Sequence, residues 1–439
     1  MKKRIEGLEL LSAPPTPCFV TGVEPTVRLR QGLILDDGNT WSSPTLILGV
    51  VGSGKSTLLR RCMEPILSHA VRAGDALVVF CAKPELLAYA RAEDVVISST
   101  TAEPRSCWNL FAEMDAGGDP IQTLREISLG LFSEAEEKTK EPFFPQAAEH
   151  IFFETCRFLH DRAKACNQLC DNAELVEFLT RTPILDDGVR KGWLDYAKAY
   201  PDYFGMLPDY LGDGNAQGMG ILSEIRLLIG RTLVNSFARA EGCFSARRAV
   251  HTGRRVFLRY DYESAGRSAL AVLKTVLDLL LKEAMSPHVE HKSWFILDEF
   301  ALLPKSSVLT DALLLGRDPG SNGKGGVRII AAAQSARLMM HHYSRDEGMA
   351  LLSLFPNVLA MRVSDPMSRG VVAERYGKAR YLYSHAGVSG RDHTDFALDD
   401  VVSDHDFARI TKKGQGIFSL PGVSAAPFVY DGYDGELNT

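Results

Sequence analysis

The residues best suited to chemistry form one glycine-rich segment, Gly49-Val50-Val51-Gly52-Ser53-Gly54-Lys55-Ser56. It has the pattern G-x-x-x-x-G-K-[ST] of a phosphate-binding loop, with an apolar strand before it and a helical pattern after it. Glycines let the backbone turn its N–H groups toward a phosphate, and the helix N-terminus adds positive potential. We expect Lys55 to contact the β- and γ-phosphates, and Ser56, with Thr57 beside it, to offer a hydroxyl to Mg²⁺. The sequence thus predicts a nucleotide-binding segment at residues 49–57.

A second candidate is the acidic pair Asp298-Glu299, which directly follows the apolar run Trp294-Phe295-Ile296-Leu297. In open α/β sheets, ligands bind at the carboxyl ends of the strands. We therefore expect Asp298 to reach Mg²⁺ through water and Glu299 to polarise the attacking water. Many strands end in acids, so this interpretation depends on the phosphate-binding loop upstream.

Two further candidates lie at or near the ends of the strand pattern VRIIAAAQ, residues 327–334. Gln334 ends it, and a polar residue there could sense hydrolysis or position water, although a simple strand-end cap is the alternative. Arg317 lies in the glycine-rich stretch before it and could enter a neighbouring subunit's site as an arginine finger. The alternative for Arg317 is an exposed loop arginine, and Lys324 is a weaker candidate in the same loop.

The motifs of other NTPase classes are missing from the sequence. It contains no N-K-x-D guanine motif, which argues against a GTPase, and no LSGGQ-like signature, which argues against an ABC ATPase. Small nucleotide kinases do not usually place the acidic strand end so far downstream. ATP, with Mg²⁺, is therefore the expected ligand.

Composition limits the protein class. The chain has 439 residues, a net charge of −6 and 45% apolar residues, so no overall basic field would hold it on nucleic acid. Any nucleic-acid contact must come from a local patch. Eight cysteines without a CxxC pair indicate a reducing cytoplasm. No apolar window approaches the length of a membrane span, so none is expected.

The periodicity of the chain predicts an α/β fold with a helical interruption. Residues 45–51, 57–73 and 76–81 form a strand, a helix and a strand, the βαβ unit of an α/β fold. Residues 27–35 are also strand-like. Later strands are expected at 255–260, 294–297, 327–332 and 357–363, with a long helix at 265–285 and a final hairpin at 416–420 and 426–430.

Between residues 118 and 245 the pattern is helical, with no convincing strand. Helices are expected at 122–131, 145–169, 173–181 and 220–240. This predicts three segments: 1–117 and 246–439 as two parts of one nucleotide-binding domain, and 118–245 as an all-α insertion. Four residues in the insertion have helical spacing, for which core packing is favoured over a zinc site: Cys156, His160, Cys166 and Cys170.

The order of these features resembles the nucleotide-binding domain of type IV coupling proteins, the DNA pumps of conjugation. The resemblance runs from about residue 45 to 430 and includes Ala82-Lys83-Pro84-Glu85-Leu86, Cys107-Trp108-Asn109-Leu110-Phe111 and Asn357 to Arg362 followed by Asp365. The most specific matches are Asp298-Glu299-Phe300 with Leu303-Pro304, and Gln334-Ser335.

The resemblance implies a RecA-like P-loop NTPase with a mostly parallel sheet, an inserted helical domain and a hexameric active state. Such proteins hydrolyse ATP with Mg²⁺ and recruit or move DNA, or a relaxase–DNA substrate, into a secretion channel. By matching position, Lys55, Ser56, Asp298 and Glu299 hold ATP and Mg²⁺. Gln334 is expected to sense ATP hydrolysis, and Arg317 is expected to act as an arginine finger in the site of a neighbouring subunit.

Two departures from the family pattern are visible. Family members usually carry two N-terminal membrane helices, which we do not expect here. The protein is therefore expected in the cytoplasm, either as a naturally soluble member or as a motor that docks at the inner membrane on separate secretion-channel or membrane-anchoring proteins. The family's Asp-x-Lys-Gly-Glu is here Cys81-Ala82-Lys83-Pro84-Glu85, without the first acid.

Two other functions stay open at the level of sequence. One is a DNA translocase of the FtsK–HerA type, or a packaging or secretion ATPase, without a relaxase link. The other is a non-motor nucleotide switch that acts as a substrate receptor. DNA-stimulated ATP turnover would distinguish a motor from a nucleotide switch. Binding of a relaxase to the insertion would distinguish a coupling protein from an FtsK–HerA-type translocase.

Overall fold

The structure is a computed structural model. It describes residues 2–101, 103, 106–181, 184–186, 189–212, 217–239, 242–317, 325–340, 342–385 and 393–432. The strands are β1 (Lys2–Glu6), β2 (Val27–Arg28), β3 (Ile34–Leu35), β4 (Thr45–Leu48), β5 (Ala76–Cys81), β6 (Val95–Ile97), β7 (Ile184–Asp186), β8 (Val189–Lys191), β9 (Arg255–Arg259), β10 (Lys292–Leu297), β11 (Gly326–Ala333), β12 (Asn357–Met361), β13 (Lys378–His385), β14 (His393–Asp400), β15 (Gln415–Ser419) and β16 (Phe428–Asp431).

The helices are α1 (Lys55–Ala73), α2 (Leu110–Met114), α3 (Pro120–Lys138), α4 (Phe143–Ala165), α5 (Asn172–Thr180), α6 (Trp193–Ala199), α7 (Pro201–Phe204), α8 (Leu207–Leu211), α9 (Gly218–Thr232), α10 (Ala246–His251), α11 (Tyr262–Ala265), α12 (Ala269–Ala284), α13 (Ser307–Leu315), α14 (Ala336–Met339), α15 (Arg345–Ser353), α16 (Pro366–Ala373) and α17 (Asp404–Ala408). Among the residues described, none of these helices has both the length and the apolar character needed to cross a bilayer.

The chain forms two compact units. The first consists of Met1–Val79, Glu290–Leu302 and Thr310–Thr439, and the second of Phe80–Val289 and Leu303–Leu309. The phosphate-binding loop, the acidic pair, Gln334 and Arg317 all belong to the first unit. The domain limits expected at 117/118 and 245/246 stay a prediction.

The first unit is built on a mostly parallel sheet. Its strands lie in the order β16-β15-β12-β4-β11-β10-β5, and β12, β4, β11 and β10 pair in parallel. Every residue of β4, β11 and β12 is buried, as expected of strands covered on both faces. Leu48 lies opposite both Ala333 and Ala360, so the carboxyl ends of these strands reach the same edge. The late hairpin is confirmed by the antiparallel pairing of β15 and β16.

Helix α1 follows β4 through the glycine-rich loop. Gly54, at φ +100°, precedes its first turn, and Gly74, at φ +74°, ends it, because glycine enters the left-handed region without a Cβ penalty. The face predicted from the helical spacing is buried, with Leu58, Leu59 and Ile66 against the core. The predicted β4–α1–β5 unit is confirmed.

The prediction for residues 27–35 is wrong in detail. The segment is not one strand but a short antiparallel pair, β2 and β3, joined by a turn of 3₁₀ helix at Arg30–Gly32. Gln31 adopts φ +56° and breaks the extended path. The polar sequence Arg30-Gln31-Gly32 between apolar neighbours was the available signal for this turn.

A second sheet in the first unit was not predicted. It contains β1, β13 and β14 in that order, with antiparallel pairing throughout. Its strand β14, His393–Asp400, exposes the apolar residues Phe396 and Leu398 and carries several acids. Because neither face shows a clean apolar–polar alternation, local periodicity gives little indication of this strand.

The second unit contains the predicted helical region. Helices α3, α4, α5 and α9 correspond to the four expected helices, and β6 pairs in parallel with β9. The region also holds a hairpin, β7–β8, that was not expected. Its strands flank Asp187-Gly188, a dipeptide typical of tight hairpin turns. Lys83 and Glu85 also belong to this unit, directly after β5.

The cysteines and the histidine considered for a zinc site differ in their surroundings. His160 Nε2 lies 3.0 Å from Asp115 Oδ1, and its ring stacks on Phe111. Cys156 is fully buried, which raises the pKa of its thiol well above its usual value. Cys166 is exposed, whereas Cys170 is buried. Within the described residues, no group of three His, Cys, Asp or Glu side chains is arranged to hold a metal ion.

Candidate nucleotide site

The phosphate-binding loop has the backbone of an anion cradle. Gly52 and Gly54 have positive φ angles, +77° and +100°. A Cβ added at Gly49 would come within 2.5 Å of Ser53 Oγ and 2.9 Å of Met361 Cβ, so only glycine fits there. The N–H of Val50 donates to the carbonyl of Arg362, and the N–H of Ser53 donates to the carbonyl of Val50, both at 3.1 Å. The first bond joins the loop to the segment just after β12, and the second closes a turn within the loop.

The loop lysine and the second acid are in direct contact. Lys55 Nζ lies 2.7 Å from Glu299 Oε2, although the two residues are 244 positions apart in the chain. Their side chains are only 5% and 6% exposed. Removing both charges from water is costly, so a buried ion pair is stable only when the two groups are close and well oriented. The structure therefore brings together two of the residues that the sequence placed in one site.

Gln334 joins the same cluster through its main chain. Its N–H donates to Glu299 Oε1 at 3.1 Å, so one carboxylate, just after β10, contacts both the first residue of α1 and the residue that follows β11. The side chain is half-buried. The role of that side chain as a γ-phosphate sensor stays a prediction.

Glu299 itself has a strained backbone. Its φ of +57° lies in the left-handed region, which costs a non-glycine residue about 1–2 kcal/mol. The carbonyl of Glu299 accepts a hydrogen bond from the N–H of Leu302 at 2.9 Å, which holds the turn after β10. Strain of this kind is concentrated at functional sites. Asp298, just before it, is also buried, at 4% exposure.

The donor set fits a magnesium nucleotide. Ser53 Oγ is buried and has no hydrogen-bond partner among the described atoms, which leaves a donor for a phosphate oxygen. The first N–H groups of α1 precede the intrahelical bonds and face the same loop. Ser56 stands in the first turn of α1. Its hydroxyl and the Asp298 carboxylate are oxygen groups of the kind that Mg²⁺ prefers, and their role as metal ligands stays a prediction.

Two neighbours of the loop were not assigned from sequence. A Cβ added at Gly54 would lie 3.0 Å from the nitrogen of Gly414, whose N–H donates to the carbonyl of Ser53 at 2.8 Å. Arg362 Nη1 donates to the carbonyl of Thr411 at 3.4 Å, and its Nη2 lies 3.7 Å from the Cβ position of Gly52. Arg362 was part of the family pattern, but no local signal marks Gly414.

This close approach gives a first prediction. Gly414 has φ +86°, so Gly414→Ala should cost about 1–2 kcal/mol of folding free energy and displace the segment that supports Ser53. We expect several-fold weaker ATP binding, measured by calorimetry, besides the lower stability in chemical denaturation.

Gly74→Ala is the matched control for this prediction. Gly74 has φ +74°, ends helix α1 and, apart from its own chain neighbours, has no described atom within 4 Å of its Cβ position. It should lose similar stability and keep its ATP affinity. Equal ATP affinities for the two variants would show that Gly414 does not support the loop.

Arg317 lies far from this cluster in the same chain. The N–H of Val327 donates to the carbonyl of Gly316 at 2.7 Å, which fixes Arg317 beside the start of β11. Glu299 contacts Gln334, at the end of the same strand. At about 3.3 Å per residue, the intervening strand separates them by roughly 20 Å, several times the length of an arginine side chain. Lys324 lies outside the described residues.

Comparisons with known proteins identify the family. The sequence matches the type IV secretion-system coupling protein DNA-binding domain over residues 38–186 and 215–395, well over half of the chain. No curated protein matches it at the sequence level. The structure is similar to the bacterial conjugative coupling protein TrwBdeltaN70 in an unbound form, with 18% identity, a TM-score of 0.73 and coverage of 98% of this chain and 93% of that chain.

Two further solved structures are informative. Plasmid coupling protein TrwB in complex with ADP and Mg²⁺ has 18% identity, a TM-score of 0.70 and coverage of 99% and 95% of the two chains. VirB4 of Thermoanaerobacter pseudethanolicus has 13% identity, a TM-score of 0.53 and coverage of 95% and 98%. The predicted RecA-like fold is thus confirmed, and the chain belongs to the type IV secretion-system coupling protein family.

Proposed function

We propose that this protein is a Mg²⁺-dependent ATPase that couples ATP hydrolysis to the recruitment or movement of DNA toward a secretion channel. One observation carries the proposal: Lys55 and Glu299 meet at 2.7 Å in a buried cluster at the carboxyl edge of a parallel sheet. That is where ligands bind in sheets of this kind. Family membership supports DNA as a partner.

Each residue of the cluster has a part in the proposed reaction, ATP + H₂O to ADP + phosphate. Lys55 binds phosphate oxygens, and Ser56 with Asp298 holds the metal. When bound, Mg²⁺ neutralises charge that develops on the phosphates. Glu299 orients the attacking water and accepts its hydrogen bond, while the loop N–H groups of residues 49–57 stabilise the growing negative charge.

The position of Arg317 favours an oligomer. Because about 20 Å of strand separates it from the nucleotide cluster of its own subunit, Arg317 cannot contribute to that site in cis. Arg317 is exposed, and an exposed arginine could stabilise transition-state charge in the site of a neighbouring copy. We propose a closed ring, a hexamer in its active state, in which each subunit supplies Arg317 to the next.

In such a ring, DNA would bind to a local patch of the surface. The net charge of −6 gives no overall attraction to a polyanion. A positively charged pore or loop would therefore hold the strand. The helical region at 118–245 is proposed to engage a relaxase-type protein or the DNA, and separate secretion-channel or anchoring proteins are proposed to hold the ring at the inner membrane.

ATP turnover with and without DNA tests this function. We expect single- or double-stranded DNA to raise the turnover of the full chain several-fold, with phosphate release as the readout. A turnover that neither DNA changes would contradict a DNA motor and favour a nucleotide switch. Stimulation by DNA without binding of a relaxase would favour an FtsK–HerA-type translocase.

A further inference from the structure

The main chain at Arg317 is held by contacts with residues at the start of β11. Besides the bond between Val327 and Gly316, Arg328 Nη1 donates to the carbonyl of Arg317 at 3.1 Å. A Cβ added at Gly326 would lie only 2.3 Å from that same carbonyl. The main chain of Arg317 is therefore held against the first residues of β11.

Arg328 is in turn oriented by a buried carboxylate. Its Nε donates to Asp37 Oδ1 at 2.7 Å, and its Nη2 donates to Asp37 Oδ2 at 3.4 Å. The side chains are 7% and 3% exposed. The planar fork of arginine can bind a carboxylate with one edge and a carbonyl with its remaining N–H, which a lysine ammonium cannot reproduce at both places.

The same carboxylate contacts the start of a second strand. Lys292 Nζ lies 2.6 Å from Asp37 Oδ2, and Lys292 is the first residue of β10. Asp37 thus contacts residues at the start of both β10 and β11, and Glu299 and Gln334 lie just after the ends of these two strands. The start of β11, which Asp37 contacts through Arg328, holds the main chain of Arg317 at the opposite end of the strand from the nucleotide cluster.

We propose that Asp37 and Arg328 are positioning residues that set Arg317 for insertion into the nucleotide site of a second copy of this chain. This inference rests on the proposed trans role of Arg317. The exposed surface beside Arg317 agrees with a second copy as the occupant, since Leu314 and Leu315 at the end of α13 are 56% and 70% exposed. Apolar side chains of that exposure gain from burial at a subunit contact.

Arg328→Lys is the test variant, because it keeps the charge beside Asp37 and removes the donor to Arg317. We expect kcat for ATP to fall about 10- to 100-fold, as misplacement of a catalytic group does, while KM changes little. Arg255→Lys is the matched control. Arg255 is also 7% exposed, pairs with Asp94 at 3.2 Å and donates to the carbonyl of Tyr89 at 2.8 Å. Its replacement should leave turnover near wild type.

Mixed assemblies separate a positioning role from a general structural defect. Glu299→Gln subunits have an inactive site but an intact Arg317, so they can donate it to an Arg328→Lys subunit whose own site is intact. We expect the mixture to turn over ATP faster than the sum of the two variants measured alone. An Arg317→Ala subunit mixed with Glu299→Gln should be rescued in the same way.

Three results would overturn the inference. Undiminished kcat for Arg328→Lys, or rescue of Arg317→Ala without rescue of Arg328→Lys, would remove the positioning role and leave the trans arginine in place. Failure to rescue Arg317→Ala would remove the trans arginine itself, and with it this part of the proposed function.

Discussion

Replacing Glu299 with glutamine is expected to lower ATP turnover by at least about a hundredfold, the contribution of a positioned general base. The substitution is nearly isosteric. The amide oxygen of glutamine can still accept the hydrogen bond from the N–H of Gln334, which spans 3.1 Å to Glu299 Oε1 in the native chain. With ATP bound, the Lys55 ammonium contacts the phosphates, so the loss of turnover should come from chemistry and not from collapse of the site.

ATP binding should become tighter in the same variant. In the native chain Lys55 must leave the Glu299 carboxylate, at 2.7 Å, before it can contact a phosphate. A neutral glutamine competes less for the ammonium, so calorimetry should give a lower Kd for ATP than in the wild type. Glu374→Gln, an exposed acid in the same unit, is the control and should change neither quantity. Turnover that survives Glu299→Gln would remove Glu299 from the water-orienting role.

The second large effect is expected from Lys55→Met. It removes charged hydrogen bonds to the phosphates, each contributing about 1.5–3 kcal/mol, so ATP affinity should fall by one to two orders of magnitude and turnover should be lost. Without nucleotide, the same change leaves the Glu299 carboxylate buried with no cation. Breaking a buried pair from one side costs about 3–5 kcal/mol, which chemical denaturation should detect.

The double variant Lys55→Met with Glu299→Gln isolates that electrostatic cost. It removes both charges together, so it should recover most of the stability lost in Lys55→Met alone while still failing to hydrolyse ATP. A double variant no more stable than Lys55→Met would show that the loss came from packing around the lysine stem. In that case the ion pair would not explain the arrangement of the site.

The sequence predicts the parts of this site that depend on local residue patterns. The loop at 49–57, its flanking strand and helix, and the strands before Asp298 and Gln334 all follow from apolar runs next to residues with special backbone needs. Family and fold are confirmed in the structure and the comparisons. The catalytic roles of Lys55, Glu299, Gln334 and Arg317, and the metal-binding roles of Ser56 and Asp298, remain predictions.

Contacts between residues far apart in the chain could not be predicted from local residue patterns. The support that Gly414 gives Ser53 links segments more than half the chain apart, and Gly414 has no distinctive neighbours. Asp37 lies in the segment Asp36-Asp37-Gly38-Asn39, whose residue types are typical of a turn, yet it is the buried partner of Arg328 and Lys292. Strands β13 and β14 were missed because strand pairing in a partly exposed sheet depends on partners that periodicity does not reveal.

The decisive measurement is a structure of the wild-type chain with Mg²⁺ and a non-hydrolysable ATP analogue. In it, we expect Lys55 Nζ to have left Glu299 and to lie within hydrogen-bond distance of the β- and γ-phosphates. We also expect Asp298 to lie within one water molecule of the metal and Glu299 to face the γ-phosphate. An analogue bound elsewhere, with the 2.7 Å contact between Lys55 and Glu299 intact, would show that these residues do not form the nucleotide site.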